Sequence, residues 1–552
     1  MPTRAIAAGS ARRRRAAMKV STPDASKVDF RNFKDELREH ARTWTQSTVF
    51  ARENPDGPAL YSFFGNRSFL QLHQNANRVA NALLALGLHR GDAIALMVRN
   101  RPEFVEVLLA AMRIGLRLTP INTHLTAREA SYIVHDCQAK VLFAEDALLQ
   151  AMAADVALAP PTARTIVVGA PAGLRERYEA MIAVASPELP SPLAAGTLML
   201  YTSGTTGSPK GVLREEPEIV EPQYEGTFTN YNPLADVAMC CGPAYHAAPL
   251  LIDVRWPLAS GVPLVLLEKW DSTAALGLIE THKVTHAHMV PTMFQRLLAL
   301  DPTVRAAYNL SSLRFVVHGA APCQPEVKRA MIAWFGPIIT EYYGATEGGN
   351  GINVDSQQWL RKPGTVGWLN PALGHRLLGP DGNDAAPGVV GEIHFSAPKD
   401  GRFQYFGDAE KTAQTYQGDY FTLGDFGYVD EDGFLFLTGR AAECIISGGV
   451  NIYPQEVDNV LLGHPAVADA CTVGAPDAEW GERVVSLVVT RPGYTASPAL
   501  AEELMAWCAT QLAGFKRPRK IHFETEVPRT ATGKLLRKSA RERFWNEAER
   551  AI

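Results

Sequence analysis

Short, wholly apolar runs alternate with longer segments in which apolar residues recur at helical spacing, from about residue 57 through the middle of the chain. Ser68 is placed to cap a helix whose apolar positions include Leu72, Val79, Leu83 and Leu84, and Gly87 follows where a helix stop is expected. Gly91 and Asp92 open a strand-like run over 93–98; Pro102 then begins a helix that Gly115 ends. The same strand-then-helix order recurs over 140–151, 264–279, 286–300 and 313–334. Strands separated by helices of this length pair in parallel, so the pattern predicts a large α/β body built of βαβ units.

After residue 362 the pattern changes. Glycines at 364, 367, 374, 379, 382, 388 and 391 punctuate short strands such as 392–395, and Asp430-Glu431-Asp432-Gly433 sits between two apolar runs as a hairpin turn. This texture predicts a β-rich subdomain that closes the body. Beyond Gly439-Arg440 comes a separate unit of about 110 residues, with strands near 466–473 and 484–490 and helices near 454–462 and 499–512. The expected fold class is α/β: a large multi-subdomain N-terminal body over 29–439, of parallel α/β sheets plus the β-rich subdomain, and a small α+β C-terminal domain over 440–552.

Composition narrows the class. At 46% hydrophobic and 20% charged residues the chain is globular rather than disordered or fibrous. Lys plus Arg number 54 against 58 for Asp plus Glu, a net charge of −4, which gives no electrostatic ground for nucleic acid or an anionic membrane as partner. No stretch approaches the roughly 18 uninterrupted apolar residues of a membrane span, so no integral membrane contact is expected. Seven cysteines without Cys-x-x-Cys spacing read as reduced thiols in a cytoplasmic protein. Residues 1–28 include Arg12 to Arg15 and carry no acidic residue through Lys19. They predict a basic, disordered leader; an organelle presequence or an over-long start ahead of Met18 are the other readings. Only 15 of the 54 basic residues are Lys, so a Lys at a motif position is informative.

The chemistry concentrates after the apolar run Leu198-Met199-Leu200. There Tyr201-Thr202-Ser203-Gly204-Thr205-Thr206-Gly207-Ser208-Pro209-Lys210-Gly211 forms a hydroxyl- and glycine-rich loop. Its backbone N–H groups can point inward as a nest for phosphate, its hydroxyls add donors, and Lys210 adds a compact charge. It is not a Walker A loop, which ends in Gly-Lys-Ser/Thr.

With further motifs in order, the chain resembles the adenylate-forming enzymes, a superfamily that includes acyl-CoA synthetases, coumarate–CoA ligases, beetle luciferases and peptide-synthetase adenylation domains. The resemblance runs from about residue 50 to 540, and it implies the following roles. Gly319-Ala320-Ala321-Pro322 is a small-residue turn lying along adenine. In Tyr342-Tyr343-Gly344-Ala345-Thr346-Glu347, Tyr343 stacks on adenine, Gly344 lies in the nucleotide site, Thr346 is catalytic and Glu347 holds Mg²⁺. Asp425, in Thr422-Leu423-Gly424-Asp425, clamps the ribose, and Arg440, in Thr438-Gly439-Arg440, meets ribose or phosphate at the hinge. Lys534, in Pro528-Arg529-Thr530-Ala531-Thr532-Gly533-Lys534, bridges the substrate carboxylate and the α-phosphate, while Thr202 to Gly207 and Lys210 hold the β- and γ-phosphates. His246 stands at the mouth of the acyl pocket.

The implied reaction has two halves. A carboxylate attacks the α-phosphorus of ATP and pyrophosphate leaves, with Mg²⁺ and lysine offsetting the gathering negative charge. The mobile C-terminal domain then turns so that Ser447-Gly448-Gly449 lets the pantetheine of coenzyme A reach the acyl-adenylate. The hinge position usually filled by Asp or Lys is Ala442 here. Small residues at Ala247, Ala248, Gly319 and Ala320 predict a roomy pocket for a hydrophobic carboxylic acid: fatty, aryl or steroid-like. Tyr342 stands where coumarate ligases and luciferases usually have Gly. The resemblance thus implies an acyl-CoA synthetase using ATP, Mg²⁺ and coenzyme A. An acyl-AMP ligase loading a carrier protein and a catalytically silent nucleotide- or CoA-binding regulator are the alternatives. The sequence leaves homodimerisation open.

Overall fold

A computed structural model describes residues 54–152, 163–169, 177–202, 209–214, 223–399, 402–440, 443–447, 450–477, 480–530 and 533–549. The leader 1–28, the loop residues Ser203, Gly204, Thr205, Thr206 and Gly207, Ala442, and the Gly448–Gly449 pair lie outside the described residues.

The alternating pattern folds as expected at its N-terminal end. Ser68 caps the Phe69–Ala85 helix through a reciprocal capping box with Gln71, and Gly87 follows with φ +82°. Pro102 opens the Pro102–Arg113 helix, and Gly115 (φ +75°) turns the chain after it. The Phe69–Ala85 helix packs on the Pro102–Arg113 helix, which lies on a seven-stranded sheet where Arg117–Pro120, Ala93–Met97, Ala139–Glu145 and Arg164–Val168 pair in parallel. At its other side Thr197–Thr202 and Lys210–Arg214 form an antiparallel hairpin around the phosphate-type loop.

A second, eight-stranded sheet carries the order Gly348–Val354, Ile339–Ala345, Phe315–His318, His286–Met289, Ala238–Cys240, Leu264–Leu266, Pro58–Ser62, Arg67–Ser68. Its strands are parallel except at the two edges, where Gly348–Val354 and Arg67–Ser68 run antiparallel. The expectation of parallel sheets therefore holds for the interiors and not for the edges, because an edge strand joined by a short turn can only double back. Four adjacent strands of this sheet end on the same side, and their continuations deliver His246, Thr292, Gly319 and Glu347. Ligand sites of open parallel sheets form at such carboxyl ends.

The glycine-punctuated region forms a third, antiparallel sheet in which Tyr420–Val429 and Phe434–Arg440 are the expected hairpin. Beyond it, Val467–Asp477 and Gly481–Thr490 centre a five-stranded sheet with its own apolar core of Ile445, Val457, Leu461, Val484, Leu504 and neighbours. The helices Pro454–Leu462 and Pro498–Gln511 pack on it. No helix among the described residues is long and apolar enough to cross a membrane.

Candidate active site

Asp425 and Arg440 are direct cross-strand partners of the third sheet. The register places Arg440 Nε 2.7 Å from Asp425 Oδ1, while the Tyr343 hydroxyl donates to Asp425 Oδ2 at 2.6 Å. The carboxylate is 5% exposed, so both bonds act at low dielectric. Burial alone would weaken the Arg440 charge, but Asp425 and Glu443 more than offset it and raise the guanidinium above its ordinary value. Burial and the same carboxylate push the Tyr343 phenol well up, so it stays a neutral donor. One lone pair on each Asp425 oxygen is left for a diol.

Gly319 follows directly on the Phe315–His318 strand, and Ala320 takes φ +68°, a left-handed conformation that turns the backbone sharply at the expected adenine position. Ala321 follows, partly buried. A Cβ on Gly319 would stand 2.5 Å from the Tyr342 ring, so the space that the small residues suggested is filled there by an aromatic wall. Gly344 lies in the Ile339–Ala345 strand, and Thr346 and Glu347, both partly buried, form the turn into Gly348 (φ +134°).

Glu347 accepts from the Tyr405 hydroxyl at 3.3 Å. The Tyr405 ring also lies 5.7 Å from the Lys210 ammonium and 5.8 Å from that of Lys411. Lys210, on the strand leaving the phosphate-type loop, is paired with Asp408 at 2.9 Å, which holds the Asp408 carboxyl below its ordinary range. Thr202 ends the strand entering that loop. Tyr405 and Asp408 escaped the sequence reading because they lie about 60 and 200 residues from their partners and belong to no phosphate-type pattern.

Lys534 arrives from the C-terminal unit. Its loop is tied by Thr530 and Lys534, whose backbone bond is 2.8 Å, and by the Arg529 pairs with Asp469 and the Gly533 carbonyl. Gly533 (φ +84°) packs so closely on Thr292 that a Cβ would come within 2.3 Å of Thr292 Cγ2. Burial and the Arg440 charge push the Lys534 ammonium below the usual lysine range, against the pull of Glu443, Asp425 and Glu347. The structure thus brings Asp425, Arg440 and Glu347 within electrostatic reach of Lys534. Burial and His124 hold His246 down to about 4, and its buried Nε2 has no hydrogen-bond partner among the described residues. Three residues on, Pro249–Arg255 adopts a π-helix, a local winding that recurs at functional sites.

A single carboxylate beside a phosphate-type loop fits Mg²⁺, which completes its shell with phosphate oxygens and water. Among the described residues no group of three His, Cys, Asp or Glu side chains is arranged to hold a metal by itself.

These features coincide with a match to the AMP-binding enzyme family over residues 48–401 and to the AMP-binding enzyme C-terminal domain over 456–534. The chain belongs to the adenylate-forming superfamily of AMP-binding enzymes. It is 34% identical over 530 residues to the fatty acid–[acyl-carrier-protein] ligase ScoC of Streptomyces coeruleorubidus, covering 93% of this chain and 98% of that one. It is 33% identical to a feruloyl-CoA synthase of an Amycolatopsis species, covering 90% and 97%. Its fold superposes on the anthranilate CoA ligase AuaEII in complex with anthranoyl-AMP with a TM-score of 0.79 at 25% identity, over 91% and 98% of the two chains. The protein is an ATP-dependent enzyme of the acid–thiol ligase type.

Proposed function

We propose that the protein is an acyl-CoA synthetase that adenylates a largely hydrophobic carboxylic acid and passes the acyl group to coenzyme A. The observation that supports this best is the meeting of Lys534 with Asp425, Arg440 and Glu347, two separately folded units contributing to one charged site.

In this reading Lys534 lies between the acid's carboxylate and the α-phosphate and neutralises charge that grows on the phosphoryl oxygens. Its depressed pKa reflects partial dehydration, which strengthens its field at the reacting atoms. Asp425 takes the ribose hydroxyls, held in place by Tyr343 and Arg440. Lys210 exchanges Asp408 for the β- and γ-phosphates. Glu347 holds Mg²⁺, which when bound screens the phosphate charge. Thr346 contributes its hydroxyl beside the α-phosphate. Neutral His246 and Tyr245, whose rings are 4.6 Å apart, line the entry of the acid. After pyrophosphate leaves, the C-terminal domain turns about Arg440 and the Ser447-Gly448-Gly449 segment admits the thiol. The free cysteines support a cytoplasmic setting.

Pyrophosphate release with a panel of acids, followed by thioester formation with coenzyme A, tests the reading. The 34% identical relative acts with an acyl carrier protein, so a phosphopantetheinyl carrier is the second acceptor to try. Thioester formed on the carrier and not on coenzyme A would replace the acceptor. No pyrophosphate with any acid would defeat the enzyme reading.

A further inference from the structure

Two buried polar side chains and the partly buried Tyr342 sit where the mechanism makes no use of them. Asp253 lies on the Pro249–Arg255 π-helix that begins just past His246, and it is 3% exposed. Its Oδ2 is 3.3 Å from Nδ1 of His288, also 3% exposed, and Nε2 of His288 is 3.3 Å from the Tyr342 hydroxyl. Register places His288, Val317 and Tyr342 on one face of the eight-stranded sheet, the face that meets the π-helix. The Tyr342 ring lies over Gly319 at the nucleotide end, one residue before Tyr343 of the ribose clamp. At the other end Asp253 lines a cavity of about 10 Å³ together with His286, Tyr231, Thr229 and Phe315. That is room for one water-sized group.

In the proposed reading, an acid with its carboxylate at Lys534 and its entry at His246 runs its tail along this face. Resting on that reading of the active site, we infer that Asp253, His288 and Tyr342 are specificity residues of the acyl pocket. They select an acid whose tail carries a hydrogen-bond donor, a hydroxyl or an amine.

The polarity of the array gives the class. A carboxylate at Nδ1 fixes the ring proton on that nitrogen, leaving Nε2 to accept from the Tyr342 hydroxyl. The phenol oxygen and the outer Asp253 oxygen then both present lone pairs, so each end accepts and the substrate must donate. Burial raises the Asp253 carboxyl to about 6 against the opposing pull of His288, which shows how incompletely the protein alone compensates this group. A wholly apolar tail would bury these acceptors unpaired, and sites built to bond a substrate hydroxyl reject analogues lacking it. The Tyr342 wall also shortens the route that a long alkyl chain would need.

The test compares matched acids by pyrophosphate release: phenylpropanoic acid against its ring-hydroxylated and ring-aminated analogues, and octanoic acid against its omega-hydroxy analogue. The wild-type enzyme is expected to prefer a donor-bearing member of at least one pair by tenfold or more in kcat/KM. Asp253→Asn and Tyr342→Phe are each expected to bring that ratio to within about threefold of unity. The ratio is taken within one enzyme preparation, so a reduced folded fraction cancels. Measurable turnover with ratios near unity in the wild type, or a preference unchanged in both variants, would overturn the inference and leave the acyl-activating reading standing. Absence of pyrophosphate with every acid, these and the wider panel, would defeat both.

Discussion

Asp425 is occupied on both oxygens before a nucleotide arrives, by Tyr343 at 2.6 Å and Arg440 at 2.7 Å. In the proposed role of a ribose clamp, Asp425 is therefore set in advance, and little reorganisation is needed at the moment of binding. Replacing Asp425 with Asn keeps the shape and removes the charge that pairs Arg440 and supports Lys534. The expected outcome is a rise of about tenfold or more in KM for ATP, matching the loss of a charge-assisted bond of roughly 1.5–3 kcal/mol; steady-state kinetics at saturating acid reads it. Lys534→Ala is expected to lower acid-dependent pyrophosphate release by about 10²–10³, the size of a lost transition-state donor. Thioester formation from preformed acyl-adenylate should fall much less in that variant. Pyrophosphate release undiminished in Lys534→Ala would contradict the role given to this residue.

The loop ending in Lys534 reaches the body only because its tip is glycine. Alanine at 533 would meet Thr292 at 2.3 Å and would also hold an unfavourable left-handed backbone, a strain of about 1–3 kcal/mol. Gly533→Ala is expected to slow acid-dependent ATP–pyrophosphate exchange at least tenfold, with a fall of several degrees in the melting temperature from the strained backbone. Exchange within twofold of wild type would show that the loop does not need this seat. Local signals of this kind were readable: Ser68 with Gln71, Pro102 and Gly115 act on their own neighbours, and the helices they bound formed where the pattern put them. The π-helix after His246 was not readable, because its apolar residues with Asp253 and Arg255 fit an ordinary helix equally well.

Across the whole molecule, five histidines among the described residues favour the neutral form, His282 by burial alone. Burial and Arg113 hold His73 at about 3, burial and His124 hold His246 at about 4, burial holds His286 at about 4 against Asp236, and burial with Lys328 holds His318 well below the ordinary range. A histidine depressed in the fold contributes stability that is present above its unfolded value of 6.5 and lost as pH falls toward its folded value. Asp253, raised to about 6, has the opposite sign: its stabilising contribution is present at low pH and lost as pH rises through 6. Buried Glu341 and Asp458 share that sign, and the five histidines outnumber the three carboxyls; a shift of two decades is roughly 3 kcal/mol. The melting temperature is therefore expected to fall as pH goes from 7 to 5, read by scanning calorimetry; a flat or rising profile would refute the assignment. At this scale the sequence by itself determined the α/β class and the order of the motifs that contain Lys210, Gly319, Glu347, Asp425 and Lys534, because each is written in contiguous residues. Only the tertiary structure decided that Asp425 is shared by Tyr343 and Arg440, that Glu347 and Lys210 meet through Tyr405, and that Tyr342 closes the space over Gly319. Those pairings join residues from different sheets and strands, and their energy depends on burial and distance, which no run of neighbours in the chain specifies.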